Sequence, residues 1–246
     1  MPAVQLSDLR KYYGKGEQTV RALDGIDLTV DAGEFIAVVG RSGSGKTTLL
    51  DAIGLLMRPT TGRIMLDGVD TTGLKDSRRA EFRGRKIGFI FQDFNLLDTL
   101  TARENVLLPV RYTGVDRKAA EKRADELLAA VELSERAHHR PTQMSGGEKQ
   151  RICIARALIN EPGIVLGDEP TGNLDTDTSQ NLMAVMRHMN HERGVTFVIV
   201  THDLELASRT NRIVRLRDGR IVADEPVSAP DGVVAAVALP APVASG

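Results

Sequence analysis

The segment from Phe35 to Thr48 constrains the fold more than any other part of the chain. It begins with five apolar residues, FIAVV, continues into the glycine-rich stretch GRSGSGKTT, and then reaches residues that favour helix. The stretch fits the pattern G-x-x-x-x-G-K-[ST], which is informative only between a buried strand and a helix. The segment therefore predicts a strand, a phosphate-binding loop and a helix, with backbone N–H groups closing around an anion.

The loop residues indicate how a triphosphate would be held. Lys46 would reach the outer phosphates, and the Thr47 hydroxyl would ligate Mg²⁺. The candidate nucleotide-binding residues of this loop are Gly40, Ser42, Gly43, Ser44, Gly45, Lys46, Thr47 and Thr48. The alternative is a glycine-rich turn that binds nothing, and the flanking strand and helix patterns argue against it.

Two further apolar runs, Ile164 to Leu166 and Val195 to Val200, are short and flanked by glycine or polar residues. Such runs are typical of strands buried on both faces, so they predict an α/β sheet with a strong parallel component. Helical patterns from Lys46 to Leu56 and from Thr178 to His191 support this class. The early segments Val4 to Leu9 and Ile26 to Val30 are predicted as antiparallel strands beside this core.

The chain is expected to form one domain over residues 1–225, with a helical subdomain inserted at about residues 95–160. Within the insertion, Asp116 to Val131 is amphipathic at helical spacing. Residues 226–246 are rich in proline and alanine, so we expect a flexible or loosely docked tail, with packing on the domain as the alternative.

Polar residues follow the second and third apolar runs. Asp168 and Glu169 come shortly after the second run, in IVLGDEP, and His202 follows the third run, in VTHD. Ligands of open parallel sheets bind outside the carboxyl ends of the strands, so we expect these side chains to converge on the phosphate loop. Asp168 would hold Mg²⁺, Glu169 would polarise the attacking water and His202 would stabilise developing charge. Alone, the acidic pair could begin a helix, and the histidine could be an ordinary polar residue.

Composition argues against several classes of protein, although it leaves a local basic patch open. The chain has 32 Lys and Arg against 33 Asp and Glu, so no global positive field recruits nucleic acid. The single cysteine, Cys153, is expected to pack as a small side chain and cannot form an internal disulfide. With no basic leader and no stretch of ~20 apolar residues, the expected compartment is the cytoplasm, with any membrane role supplied by a partner.

A second glycine turn, MSGGEKQR at residues 144–151, precedes another run of helix formers. A serine and two glycines opening a helix expose backbone N–H groups and suit an anion. Ser145, Gly146 and Gly147 are therefore candidate anion-binding residues, in addition to the first loop.

Over about residues 3–225 these features resemble the nucleotide-binding subunits of ABC transporters. Gly40 to Thr47 is similar to the Walker A loop of that family, Ile164 to Glu169 to Walker B, and MSGGE to its signature. The resemblance implies a P-loop NTPase with a RecA-like, mostly parallel sheet core, an antiparallel β subdomain and a helical subdomain. It also implies an ATP hydrolase that uses ATP and Mg²⁺.

The resemblance assigns further roles. Gln92, in FQDF, is similar to the Q-loop residue, Asp175, in GNLD, to the D-loop residue, and His202 to the switch histidine. Tyr13 matches the aromatic residue that stacks on adenine, with Tyr12 as the alternative. The implied catalytic residues are Glu169, His202 and Gln92; the implied metal ligands are Thr47, Gln92 and Asp168; and the implied nucleotide contacts outside the first loop are Tyr13, Ser145, Gly146, Gly147 and Asp175.

In this family two subunits face each other head to tail, and the signature of one closes over the ATP held by the other. The resemblance thus implies a homodimer with composite ATP sites and a transmembrane permease as partner, at the cytoplasmic face of the plasma membrane. Met144, Glu148 and Gly167 depart from the usual leucine, glutamine and alanine. Methionine conserves volume, whereas Glu148 adds negative charge near a polyphosphate, partly offset by Lys149 and Arg151.

Residues 87–110 resemble the branch of macrolide-efflux, lipoprotein-release, antimicrobial-peptide-resistance and cell-division ATPases. In that branch the segment after the Q-loop contacts a permease helix, so Phe94, Leu96, Leu97 and Leu100 are either anchors for that helix or part of the core. The branch implies export, lipoprotein release or mechanotransmission, and leaves the substrate open. The alternative function is a soluble ABC-type ATPase acting on nucleic acid or ribosomes, which a single P-loop and one cysteine disfavour.

Overall fold

The computed structural model describes residues 1–14 and 16–227. The strands are β1 (Pro2–Tyr13), β2 (Val20–Asp31), β3 (Phe35–Val39), β4 (Thr61–Leu66), β5 (Val69–Asp70), β6 (Ile87–Ile90), β7 (Ile164–Asp168), β8 (Thr196–Thr201), β9 (Arg212–Arg217) and β10 (Arg220–Pro226). The α-helices are α1 (Lys46–Ile53), α2 (Asp76–Lys86), α3 (Ala102–Leu107), α4 (Arg117–Ala130), α5 (Gly146–Leu158), α6 (Thr176–Arg193) and α7 (Leu204–Ala207). Short 3-10 turns span Gly16–Gln18, Leu108–Tyr112, Ser134–Arg136 and Pro141–Gln143.

The main sheet has six strands in the order β10-β9-β3-β8-β7-β6. All neighbours in it are parallel except the edge pair β9 and β10. Every residue of β3 and β8 is buried, as the continuous apolar runs predicted. The predicted parallel α/β core is therefore confirmed, and its strands run so that the ends of β3, β7 and β8 meet at one edge.

A second, antiparallel sheet has the order β2-β1-β4-β5. The predicted strands at Val4 and Ile26 lie within it, but each extends to 12 residues. Its apolar face shares one core cluster with α1 and with alternate residues of the main sheet, such as Ile36 and Val38. This packing holds β2 against the loop that joins β3 to α1.

The segment between β6 and β7 is mostly helical and covers the other face of the main sheet. In α4 the apolar stripe Ala120, Ala124, Leu127 and Leu128 is buried at the predicted helical spacing. Of these, Ala124, Leu127 and Leu128 belong to a second core cluster with residues of α3, α5 and α6. Cys153 of α5 is fully buried in this cluster, and burial raises its thiol pKa to about 11, so it packs as an apolar residue.

The structure differs from the predictions in three respects. Helix α1 ends at Ile53 and not at Leu56, because the chain reverses at Leu55, whose φ is +56°. Strands β4, β5, β6, β9 and β10 were not predicted, since they are short or contain charged residues. Pro226 belongs to β10, and the Val227 N–H donates to the Asn211 carbonyl. The remainder of the predicted tail, 228–246, lies outside the described residues.

Asp24 of β2 connects the two sheets. Its carboxylate accepts hydrogen bonds from the Tyr12 hydroxyl at 2.5 Å and from the Arg220 guanidinium at 2.7 Å, and its N–H donates to the Gly219 carbonyl. The hydrogen bond from Tyr12, followed by that from Arg220, lowers the pKa of Asp24 to about 2. The carboxylate is therefore stabilised in the folded state relative to the unfolded chain.

We expect Asp24→Asn to destabilise the protein near neutral pH and to have little effect near pH 2. A depressed folded-state pKa contributes stability above the unfolded value of 3.8, and this contribution is lost as pH falls toward about 2. Thermal unfolding followed by circular dichroism between pH 7 and pH 2 measures the difference in Tm. Asp98→Asn, at an exposed loop position, is the control. A Tm difference that persists unchanged at low pH would contradict this assignment.

Candidate functional site

The loop between β3 and α1 has the conformation that its glycines predict. Gly45 caps α1 with φ +103°, and a Cβ there would collide with the Ala22 carbonyl of β2. Gly43 also has a positive φ, of 78°. The loop therefore lies directly against β2, with the N-terminus of α1 behind it.

Lys46 is the first residue of α1, and its side chain reaches back to this loop. Its side chain is 9% exposed, and Nζ donates to the carbonyls of Gly40 at 2.7 Å and Arg41 at 3.0 Å. Within residues 1–14 and 16–227, no carboxylate lies within 4.0 Å of this ammonium. A largely buried cation without a paired carboxylate is ready to bind an anion, and the N-terminus of α1 favours the same charge.

Carboxylates crowd the end of β7, facing Lys46. Asp168 is half-buried, and burial, together with the charges of Glu169 and Asp51, raises its pKa. Burial also raises the pKa of Asp51, which lies four residues after Thr47 on α1. A cation bound here would relieve the repulsion, and the oxygens of Thr47 and Asp168 are donors that suit Mg²⁺.

Glu169 and His202 are in direct contact. Glu169 Oε2 lies 2.8 Å from His202 Nδ1, and the Glu169 N–H donates to the Val200 carbonyl at 2.9 Å. Glu169 has φ +42°, an unfavourable conformation for glutamate that the turn after β7 holds in place. The carboxylate is mostly buried, whereas His202 is 69% exposed. The pair borders a cavity of about 230 Å³.

Gln92 reaches the same place from the end of β6. A Cβ on Gly172 would lie 3.1 Å from Gln92 Nε2 and 3.4 Å from Glu169 Oε2, so the amide and the carboxylate flank this glycine. The Asn173 side chain donates to the Gln92 carbonyl at 2.9 Å. Gln92, Glu169 and His202 therefore lie close together in the structure.

The two N-terminal tyrosines have different environments. The Tyr12 hydroxyl is bound to Asp24, whereas Tyr13 is 45% exposed with Lys11 Nζ 4.9 Å from its ring centroid. Tyr13 pairs with Val20, two residues before the Ala22 carbonyl that touches Gly45. Tyr13 is thus the tyrosine with an accessible ring on the strand pair that supports the phosphate loop.

The second glycine turn lies in a different environment. Ser145 caps α5: its hydroxyl accepts from the Glu148 N–H, and its own N–H donates to Glu148 Oε2 at 2.8 Å. A Cβ on Gly147 would lie 2.5 Å from Thr178, so only glycine fits this contact with α6. Asp175 caps α6 by accepting from the Thr178 N–H and hydroxyl.

The candidate residues therefore form two separate groups in the structure. Lys46, Thr47, Asp168, Glu169 and the neighbouring Gln92 and His202 surround the ends of β3, β6, β7 and β8. Ser145, Gly146, Gly147 and Asp175 form a second group at the N-termini of α5 and α6. Asp51 was missed from the sequence; its position one helical turn after Thr47 was the available signal.

An apolar groove of about 630 Å³ lies between α2, β6 and the 3-10 turn at Leu108–Tyr112. Leu56, Phe89 and Phe91 line it, and the Tyr112 side chain is 85% exposed at its rim. Phe94 and Leu96 instead pack against the helical core, whereas Leu97 is exposed. Within the described residues no helix is both long and apolar enough to span a bilayer.

Comparison with known proteins identifies the family. The ABC transporter family model matches residues 23–172. The lipoprotein-releasing system ATP-binding protein LolD of Anaeromyxobacter dehalogenans is 52% identical over 228 residues, covering 92% of this chain and 95% of that protein. The macrolide export ATP-binding/permease protein MacB of Hyphomonas neptunium is 44% identical over 223 residues, covering 91% of this chain and 34% of that protein. The chain thus spans nearly all of LolD but about a third of MacB.

A solved structure agrees with these sequence matches. The ATP-binding cassette MJ0796, determined as a dimer in a post-hydrolysis state with ADP and Pi, superposes with a TM-score of 0.84. It is 42% identical and covers 92% of this chain and 99% of its own. The phosphate loop, the strand-end carboxylates and the capped glycine turn therefore have a common explanation. The chain belongs to the ABC transporter family and is one of its ATPase subunits.

Proposed function

We propose that two copies of this chain close head to tail around two MgATP molecules and thereby drive a transmembrane permease. The observation that carries the proposal is the separation of the two anion-binding groups. The Lys46 loop lies against Ala22 of β2, whereas Gly147 lies against Thr178 of α6. A two-fold dimer would set the Ser145 turn of one copy against the γ-phosphate held by Lys46 of the other.

Each residue has a defined role in this scheme. Lys46 and the loop N–H groups bind the phosphates, and Tyr13 stacks on the adenine. Glu169 orients and polarises the attacking water, while His202, 2.8 Å from it, holds the carboxylate and faces the γ-phosphate. Thr47, Gln92 and Asp168 would hold Mg²⁺, which supplies positive charge to the phosphate oxygens.

Hydrolysis changes what connects the two copies. While ATP is intact, its γ-phosphate bridges Lys46 of one copy and Ser145 of the other. Once phosphate is released, this bridge is lost and the dimer loosens. The dimeric MJ0796 structure with ADP and Pi supports such a cycle.

The permease is expected to contact the groove at Leu56, Phe89, Phe91 and Tyr112. Exposed aromatic and aliphatic side chains suit an amphipathic helix laid into a groove. The names of MacB and LolD, which describe an export ATP-binding/permease protein and a lipoprotein-releasing system, support a transporter or lipoprotein-release role. The chain would then be peripheral, at the cytoplasmic face of the plasma membrane.

Purification from native membranes tests this function. Tagged chain extracted in mild detergent should bring down a membrane-spanning protein, identified by sequencing, and this association should persist after a high-salt wash because the groove is apolar. A double substitution in the groove, Phe91→Asp with Tyr112→Asp, should lose the companion while keeping ATP binding. Recovery only with ribosomes or nucleic acid would favour the soluble ATPase instead.

A further inference from the structure

Arg156 of α5 is a buried arginine that the proposed chemistry does not use. It is 9% exposed, and burial lowers its pKa. Within the described residues it makes no ion pair with a carboxylate. A desolvated charge without a carboxylate is costly unless its donors are well satisfied, so the groups that it binds are informative.

Arg156 binds two consecutive carbonyls. One guanidinium nitrogen donates to the Asn95 carbonyl at 2.5 Å and the other to the Phe94 carbonyl at 2.7 Å. Phe94 has φ +59° and Asn95 has φ +49°, so both residues adopt the left-handed conformation. Such a turn in two residues other than glycine is unfavourable and persists only where the surroundings hold it. The Cys153 thiol adds a third contact, to the Phe94 carbonyl.

This turn follows Gln92 by two residues. Gln92 itself is exposed, and its carbonyl is bound by Asn173 on one side. On the other side the chain runs through Asp93 into the Phe94–Asn95 turn, whose carbonyls Arg156 binds. The same helix packs tightly on β6, since a Cβ on Gly88 would collide with the Ala157 carbonyl.

Helix α5 thus connects three parts of the molecule. Ser145 caps its first turn, and Gln150 donates to the Pro170 carbonyl beside Glu169. Near the end of the helix, Arg156 binds the turn that follows Gln92. Gln150 is 1% exposed, so this second contact is also buried. Helix α5 is therefore in contact with the Gln92 and Glu169 segments and also carries the Ser145 cap.

We propose that Arg156 is a positioning residue for Gln92: it clamps the left-handed turn that places the Gln92 amide beside Glu169, at the site of Mg²⁺ and the γ-phosphate. The proposal rests on the proposed function of that site. It requires two parallel donors in a plane, which arginine has and lysine lacks.

Arg156→Lys keeps the charge and removes the clamp. We expect kcat of the ATPase to fall roughly 10- to 100-fold, while KM for ATP changes less than about threefold, because the residues that bind the phosphates are untouched. Binding of a fluorescent ATP analogue without Mg²⁺ should match the parent. The Mg²⁺ concentration that half-saturates the metal-dependent change in its fluorescence should rise about tenfold.

Two further variants separate positioning from folding. Arg156→Met removes the buried charge and retains the side-chain stem, so it should fold and show the same loss of Mg²⁺ affinity. Arg79→Lys is the matched control, because Arg79 is also buried and donates to two carbonyls, those of Leu55 and Met57, away from Gln92. It should lower Tm without changing kcat or the Mg²⁺ midpoint.

The outcomes distinguish a failure of the Arg156 inference from a failure of the proposed function. If the parent protein binds and hydrolyses MgATP but both Arg156 variants keep the parent kcat and Mg²⁺ midpoint, this inference is wrong. If Arg79→Lys reproduces the Arg156 phenotype, the effect is one of stability and the inference is also wrong. If the parent itself neither binds nor hydrolyses MgATP, the proposed function fails first.

Discussion

Replacing Glu169 by glutamine should reduce ATP hydrolysis by about 10²- to 10⁴-fold, the range for loss of a general base. Glutamine has nearly the same size and can still contact His202, but it cannot polarise water as a carboxylate does. In the proposed scheme ATP is bound by Lys46 and the loop, so the affinity for ATP should stay near that of the parent. Phosphate release measures the first effect, and equilibrium binding of ATP measures the second.

The same variant should accumulate as a closed dimer. Without hydrolysis the γ-phosphate remains as the bridge between Lys46 of one copy and Ser145 of the other, so size-exclusion chromatography with MgATP should show a dimer that ADP does not support. Glu205→Gln, at an exposed position lining the same cavity, is the control and should hydrolyse ATP normally. A Glu169→Gln protein that hydrolyses ATP at the parent rate would disprove the assignment of Glu169.

Replacing Lys46 by alanine should weaken ATP binding by about 10- to 100-fold, the equivalent of one lost hydrogen bond to a charged group. Among the described residues, the Lys46 ammonium is the only cation that donates to the carbonyls of Gly40 and Arg41, at the start of the loop. Its loss removes the charge that faces the outer phosphates. Isothermal titration with ATP measures the change.

The Lys46 variant should differ from Glu169→Gln in a second respect. Because ATP is no longer retained, no MgATP-dependent dimer should form, even in the Lys46→Ala, Glu169→Gln double variant. Lys122→Ala, on the surface of α4 beside Glu126, is the control and should bind ATP as the parent does. Parent-like affinity in Lys46→Ala would show that the phosphates bind elsewhere.

Glu148, which replaces the usual glutamine of the family, has an environment that the sequence did not predict. The sequence placed an added negative charge near a polyphosphate, with Lys149 and Arg151 as partial compensation. In the structure Glu148 accepts from the Ser145 N–H and pairs with Arg136 at 3.2 Å, and the hydrogen bond from Ser145 lowers its pKa. Its charge is therefore directed into the cap of α5 and compensated by Arg136, 12 positions earlier in the sequence.

The choice between Tyr12 and Tyr13 is a similar case. Two adjacent tyrosines on one strand point to opposite faces, and the sequence alone left both as candidates. In the structure the Tyr12 hydroxyl is bound to Asp24 and the Tyr13 ring is exposed, so Tyr13 is the tyrosine that we propose as the adenine contact. Phe94 and Leu96 are a third case. The sequence left them as either anchors for a permease helix or part of the core, and in the structure both pack against the core.

The amino-acid sequence alone was enough to predict the parallel core, the phosphate loop and the residues at the strand ends. These depend on local properties: apolar runs that form buried strands, glycines that permit positive φ, and polar residues directly after a strand. Which side chains meet became visible only in the folded molecule. Asp51 lies near Asp168, and Arg156 binds the carbonyl of Phe94, 62 residues away. Backbone conformation follows from near neighbours in the chain, whereas these contacts exist only once packing has brought distant segments together.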